Sequence, residues 1–325
     1  MKYILISSVI ILIGLMIWVA VTIRNVTNAA IIFRNPVKGP VLPGLSRRVL
    51  ESGGMQRGYL LYVPSSYDPA WPMPLVISLH GFASNPAGQK YLSGWEKLAA
   101  KQNFLVVYPQ GTSSPLRWNA STDFGTGQAD DVAFMRDLLA NLRQLLNIDQ
   151  SRIYINGMSN GGAMTARLSC EMADVFAAAG IVSGPPVNIP AGCHPTRPVP
   201  LIAFYGTADP LVKYNGGTTD SSPVTRLLRL PTRRVSLPPV KPWIEAWAQR
   251  NACNLIPQTL PGRGEISGVR YTDCQQEAEV VFYTIDSGGH TWPGGSPTFV
   301  GKTSHSIDAT SEMWGFFKTH TMTGQ

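Results

Sequence analysis

The chain has 325 residues, 44% of them hydrophobic and 14% charged. That is enough apolar material for one large α/β domain or two ordinary ones, and it excludes an intrinsically disordered chain. The formal net charge is +7, yet no Lys/Arg run exceeds two residues and no nucleic-acid motif occurs, so the basic excess reads as a mildly basic surface with weak attraction for anionic partners.

Residues 3–23 carry no charged side chain, are rich in Leu, Ile and Val, and are bounded by Lys2 and Arg24. Such a run is long enough to cross a bilayer as a helix and exceeds the usual core of a cleaved signal peptide. Residues 1–24 are therefore expected to form a signal-anchor, or a signal peptide if Thr27-Asn28-Ala29 is a cleavage point. Either way the rest of the chain is exported, and the membrane is met only through this segment. Residues 25–55 hold Pro36, Pro40 and Pro43 with Gly39 and Gly44, show no sustained periodicity, and read as a linker to a domain over 56–325.

From Tyr59 onward, short apolar runs alternate with helical patterns. Tyr59–Val63, Leu75–Leu79, Phe104–Tyr108, Ile153–Asn156, Ala178–Val182, Leu201–Tyr205 and Val280–Ile285 read as strands covered on both faces. Between Asp130 and Leu146 the residues Val132, Met135, Leu138, Leu139, Leu142, Leu145 and Leu146 recur at three and four, an apolar helical stripe with Asp130 and Asp131 at its positive end. Further helices are expected over Gly161–Cys170, Trp243–Arg250 and Ala309–Thr319. The alternation implies a mostly parallel central sheet with helices on both faces, whose chemistry sits just beyond the carboxyl ends of strands.

Three strand ends carry reactive residue types in a fixed order. After Ile153–Asn156 comes Gly157-Met158-Ser159-Asn160-Gly161, a G-x-S-x-G turn from strand to helix that presents a serine oxygen. After Leu201–Tyr205 comes Gly206-Thr207-Ala208-Asp209-Pro210, and after Val280–Ile285 comes Gly288-Gly289-His290. A serine hydroxyl needs a base, and the base needs an orienting carboxylate, so Ser159, Asp209 and His290 form a candidate triad. Asp286 is a rival acid, but it lies too close to His290 in sequence to reach the far side of its ring. His80 precedes the serine and breaks the order. The amides of Phe82, in the turn after Leu79, and of Asn160 are the candidate oxyanion donors. Trp118 and Trp292, with Phe82, are candidate walls of an acyl pocket.

Cys170, Cys193, Cys253 and Cys274 form no C-x-x-C pair, which gives a zinc or thioredoxin-like reading little support. Three disulfide pairings exist. Cys170–Cys193 and Cys253–Cys274 close the short loops and suit an exported compartment; four buried thiols are the alternative.

These residues resemble the polyhydroxybutyrate depolymerase and feruloyl esterase family of α/β-hydrolases. The matching segments include Leu79-His80-Gly81, Tyr108-Pro109-Gln110-Gly111, Trp118-Asn119, Asp131-Val132, Gly157–Met164, Gly206–Pro210 and Gly289-His290-Thr291-Trp292-Pro293-Gly294. The resemblance covers residues 57–320. It implies an α/β-hydrolase fold, the triad Ser159, Asp209 and His290, the cysteine pairing above, no metal and no organic cofactor, and an ester substrate ranging from small molecule to polymer. It leaves open polyester oligomers, hydroxycinnamoyl esters and acetylated sugars. A serine peptidase on the same fold would usually add a propeller or cap domain, and a binding protein on a dead hydrolase scaffold would be expected to lack a triad member. Arg226, Arg229, Arg233 and Arg234 follow the acid loop and form either a rim over the site or a solvated loop.

Overall fold

The apolar runs assemble into one ten-stranded sheet. The computed structural model describes residues 36–37, 39–123, 129–189, 192–218, 235–298 and 300–322. The apolar segment 1–24 and the arginines 226–234 lie outside the described residues. Among the described residues, no helix is long and apolar enough to cross a membrane.

A hairpin of β1 (Gly44–Ser52) and β2 (Met55–Val63) opens the domain. It turns on Gly53-Gly54, both at positive φ, as a two-residue hairpin turn requires. After β3 (Met73–Leu79) come two short helices, α1 (Pro86–Ser93) and α2 (Trp95–Gln102), joined at Gly94 in the left-handed conformation. Asn85 caps α1 by accepting the Gly88 amide proton, and Pro86 takes the first helical position, where its missing N–H costs nothing. The chain continues through β4 (Leu105–Pro109), α3 (Asp131–Leu145), β5 (Ile148–Met158), α4 (Asn160–Glu171), β6 (Ala178–Val182) and β7 (Leu201–Gly206). A small pair, β8 (Gly217–Thr218) and β9 (Ser236–Leu237), precedes α5 (Val240–Arg250). Then follow β10 (Gln258–Arg263), β11 (Ile266–Tyr271), β12 (Val280–Ile285) and α6 (Ala309–Phe317).

The strand order is β1-β2-β4-β3-β5-β6-β7-β12-β11-β10. The six strands from β4 to β12 are mutually parallel, and antiparallel arms flank them on both sides. Alternate side chains on each strand feed two cores. Ile77, Val107 and Ile155 face α3, α4 and α5 on one side, while Val76, Val106 and Tyr154 face α2 and α6 on the other.

The linker expected over 25–55 is corrected by β1. Its residues 44–52 pair along their whole length with β2. The edge position explains the weak pattern, since only one neighbour and one buried face constrain the sequence. Helices α1 and α2 escape a periodicity reading because each spans only eight residues. Both expected disulfides are present. Cys170–Cys193 fastens the end of α4 to the loop after β6, and Cys253–Cys274 fastens the end of α5 to the end of β11.

Candidate active site

The serine elbow follows from crowding where β5 becomes α4. Ser159 has φ 56° and ψ −123°, a conformation that costs a non-glycine residue about 1–3 kcal/mol. A Cβ on Gly157 would overlap the Gly161 carbonyl, and one on Gly161 would overlap the Leu79 carbonyl. The turn thus closes only with glycine two positions either side of the serine. Ser159 N–H donates to the Val182 carbonyl at 2.9 Å, and its carbonyl accepts the Ala163 amide at 3.0 Å, which pins the backbone between β6 and α4. The side chain does not cap its own helix, and among the described residues its Oγ makes no hydrogen bond. It is half-buried, so it stays open to a reactant.

Asp209 and His290 meet at the neighbouring strand ends. His290 Nδ1 lies 2.8 Å from Asp209 Oδ2, with the two side chains 7% and 1% exposed. The other carboxylate oxygen accepts the Leu211 and Val212 amides, each at 2.8 Å. The acid is thereby fixed by its own turn, and one oxygen is left for the imidazole. The two loops are also joined directly: Thr207 N–H donates to the Ile285 carbonyl and Ala208 N–H to the Gly288 carbonyl, both at 3.0 Å. With Nδ1–H held by the carboxylate, Nε2 is the nitrogen that carries a free lone pair.

Ladder bonds at one end of the sheet connect the three positions. Ser159 is tied to β6, Ser183 N–H donates to Phe204 of β7 at 2.9 Å, and Thr207 is tied to β12. Strand β12 lies three steps from β5, roughly 14 Å at the usual spacing. The bond to Asp209 draws the imidazole back to the β7 loop.

The other candidates sort by environment. Asp286 is exposed and accepts from Thr207 Oγ1 at 3.1 Å rather than from His290. His80 is fully buried, and burial pushes its imidazole down to about 4, so it is neutral near pH 7. Its Nδ1 pairs with the Gly81 carbonyl at 2.8 Å and its Nε2 accepts the Gly111 amide at 2.9 Å.

The Phe82 amide makes no hydrogen bond among the described residues, and Asn160 is the first residue of α4, whose amide has no carbonyl one turn back. A Cβ on Gly81 would lie 3.3 Å from Ser159 Cβ, so the turn carrying Phe82 runs against the nucleophile.

Trp118 and Trp292, expected in the pocket wall, are 2% and 1% exposed. Trp118 Nε1 donates to the His80 carbonyl at 2.9 Å and Trp292 Nε1 to Thr310 Oγ1 at 3.0 Å. Both indoles are packed inside with their N–H groups turned inward, so neither offers a face to a cleft. A surface cleft of about 370 Å3 beside α2 and the start of α6 is lined by Tyr91, Lys97, Lys101 and Asp308, and holds none of the triad residues.

Asp131 also departs from expectation. Asp130 caps α3 through the Val132 and Ala133 amides. Asp131 is instead buried against Arg57 at 2.6 Å and accepts the Asn119 amide at 2.7 Å. Burial pushes its carboxyl upward, and Arg57 opposes that shift. The side chain of Asn160 was likewise silent in the sequence. Its Oδ1 accepts the Trp118 amide at 2.6 Å and its Nδ2 donates to the Trp118 carbonyl at 3.2 Å. The Trp118-Asn119 and Asp131-Val132 dipeptides were the only signals.

Among the described residues, no cluster of His, Cys, Asp and Glu has the make-up of a metal site.

Comparison with known proteins gives the family. Residues 57–190 match the family described as "Esterase PHB depolymerase". The chain is 30% identical to the protein NocK of Nocardia uniformis subsp. tsuyamanensis, over 80% of this chain and 78% of that one. It is 30% identical to feruloyl esterase B of Piromyces equi over 72% of its own length, and it spans only 42% of that protein. The solved acetyl xylan esterase from Aspergillus awamori superposes with a TM-score of 0.56 at 15% identity, over 84% of this chain and 99% of that one, and so shares the fold. The chain belongs to the polyhydroxybutyrate depolymerase and feruloyl esterase family of α/β-hydrolases.

Proposed function

We propose that the chain is an exported carboxylic ester hydrolase working through an acyl-enzyme on Ser159. The observation that carries this reading is the buried 2.8 Å pair of Asp209 and His290 at the same sheet end as a strained, uncapped serine. His290 Nε2 takes the Ser159 hydroxyl proton as Oγ bonds to the acyl carbon. The Phe82 and Asn160 amides receive the oxyanion, each such donor being worth about 100- to 1,000-fold in turnover. Collapse breaks the bond to the alcohol, and His290 returns the proton to the leaving alkoxide. Water then attacks the acyl-enzyme with His290 again as base, which frees the acid and restores Ser159. Asp209 keeps the imidazole in the Nδ1–H tautomer and stabilises the imidazolium.

The named relatives make hydroxycinnamoyl, acetyl and polyhydroxyalkanoate-oligomer esters the substrate classes of this proposal. Export is supported by two disulfides and by the uncharged run at 3–23, which would either anchor the domain or be removed. The test is a panel of short p-nitrophenyl esters, methyl ferulate and hydroxybutyrate oligomers, run with wild type and Ser159→Ala. Hydrolysis of at least one ester by wild type and of none by the variant is expected. Equal hydrolysis by both would refute the assignment.

A further inference from the structure

The two proposed oxyanion donors lie on separate elements, beyond the last rung that joins them. The β3–β5 ladder ends at the Leu79–Gly157 pair. The turn carrying the Phe82 amide and the elbow carrying the Asn160 amide both extend past it. An oxyanion hole works only if its donors are already at the right separation, because donors that must move lose the advantage of preorganisation. Something other than the ladder has to set that separation.

One loop bonds to both segments that carry the donors. The Leu116 carbonyl accepts the Ala83 amide at 2.8 Å, and the Trp118 indole N–H donates to the His80 carbonyl at 2.9 Å. These two bonds bracket the peptide that carries the Phe82 N–H. The Trp118 main chain meanwhile exchanges two hydrogen bonds with the Asn160 side chain, at 2.6 and 3.2 Å, and the Asn160 amide is the second donor. The loop is itself held firmly. Asp131 takes the Asn119 amide at 2.7 Å, Arg167 donates to the Asn119 carbonyl at 2.5 Å, and the Gly111 amide donates to His80 Nε2 at 2.9 Å.

We infer that Trp118 is a positioning residue for the oxyanion hole: its indole and its main chain lock the Phe82 turn to the Asn160 elbow and so fix the spacing of the two amides. This rests on the esterase reading and adds a part to it. Trp118 touches no reactant. It acts through His80, whose neutral ring lies 5.1 Å from the indole, and through Asn160, which serves by its amide toward the oxyanion and by its side chain toward the brace.

The experiment compares Trp118→Phe and Asn160→Ala with wild type on a p-nitrophenyl ester. Trp118→Phe keeps an aromatic ring beside His80 and removes the indole donor. A drop in kcat of about 10- to 100-fold is expected, below the loss of a whole donor and in the range of a misplaced group. KM and the pH profile should stay unchanged, because the Asp209–His290 pair is untouched. Affinity for a trifluoromethyl ketone, which forms the tetrahedral adduct, should fall by the same factor as kcat/KM. Asn160→Ala should show the same pattern from the other side. The double variant should be little worse than the poorer single one, since both cut one brace. Should Trp118→Phe not fold, Asn160→Ala alone decides the matter by the same readouts. A raised KM at unchanged kcat would make Trp118 a substrate contact and overturn the brace, as would full kcat in both variants. A wild type that no fluorophosphonate labels would remove the esterase reading and the brace together, whereas an active, labelled wild type with fully active variants removes the brace alone.

Discussion

Asp209 holds His290 with one carboxylate oxygen and its own turn with the other: Oδ2 meets Nδ1 at 2.8 Å, while Oδ1 accepts the Leu211 and Val212 amides. The turn therefore orients the acid independently of the histidine. Asp209→Asn keeps an oxygen for the turn but presents an amide N–H to the ring, forcing the wrong tautomer. A loss of about 10,000-fold in kcat is expected, with little change in urea midpoint. Asp209→Ala should also lose the turn bonds and about 1–3 kcal/mol of stability. Asp286→Ala should leave kcat unchanged, because Asp286 pairs with Thr207 on the surface.

Ser159 is strained in the folded state, with φ 56°. Ser159→Gly should remove that strain. It should abolish turnover and raise unfolding free energy by about 1 kcal/mol, at the low end of the usual strain cost. Thermal denaturation checks this: a lower midpoint for the glycine variant would show that the elbow stores no strain.

His80 links stability to pH. Its folded value, about 4, lies below the 6.5 of an ordinary imidazole because burial disfavours the charged ring. Its contribution is thus fully present above pH 6.5 and is lost as pH falls toward 4. The expected slope is roughly 1.4 kcal/mol per pH unit across that window. Urea titrations of wild type and His80→Gln should show this slope in wild type and a flatter one in the variant.

Each disulfide closes a loop of about two dozen residues, spanning sequence separations of 23 and 21. Removing either by Cys→Ala pairs should cost about 3 kcal/mol on the chain-entropy account. Denaturant midpoints of the two double variants, against wild type in oxidising buffer, measure it.

The sequence showed most where burial was complete. Strands β3, β4, β6, β7 and β12 and the second half of β5 are largely apolar and buried on both faces, so runs such as Leu75–Leu79 and Val280–Ile285 stand out. Ser159, Asp209 and His290 stand out as candidates because each follows such a run, and the structure joins the last two directly. What stayed hidden depends on a single face or on distant partners. Strand β1 alternates at an edge, and β10 is largely exposed. Asp131 reads as a carboxylate at the positive end of a helix because its partner Arg57 lies 74 residues away. Trp118 and Trp292 looked like pocket walls because composition does not say which way an indole N–H points, and both point inward.

Ser159 is the proposed nucleophile, and reaction of the intact protein with a fluorophosphonate, followed by peptide mapping, reads it out. One modified residue is expected, Ser159, with labelling abolished in Ser159→Ala and sharply slowed in Asp209→Asn. Modification of another serine, or undiminished labelling of Ser159→Ala, would contradict it.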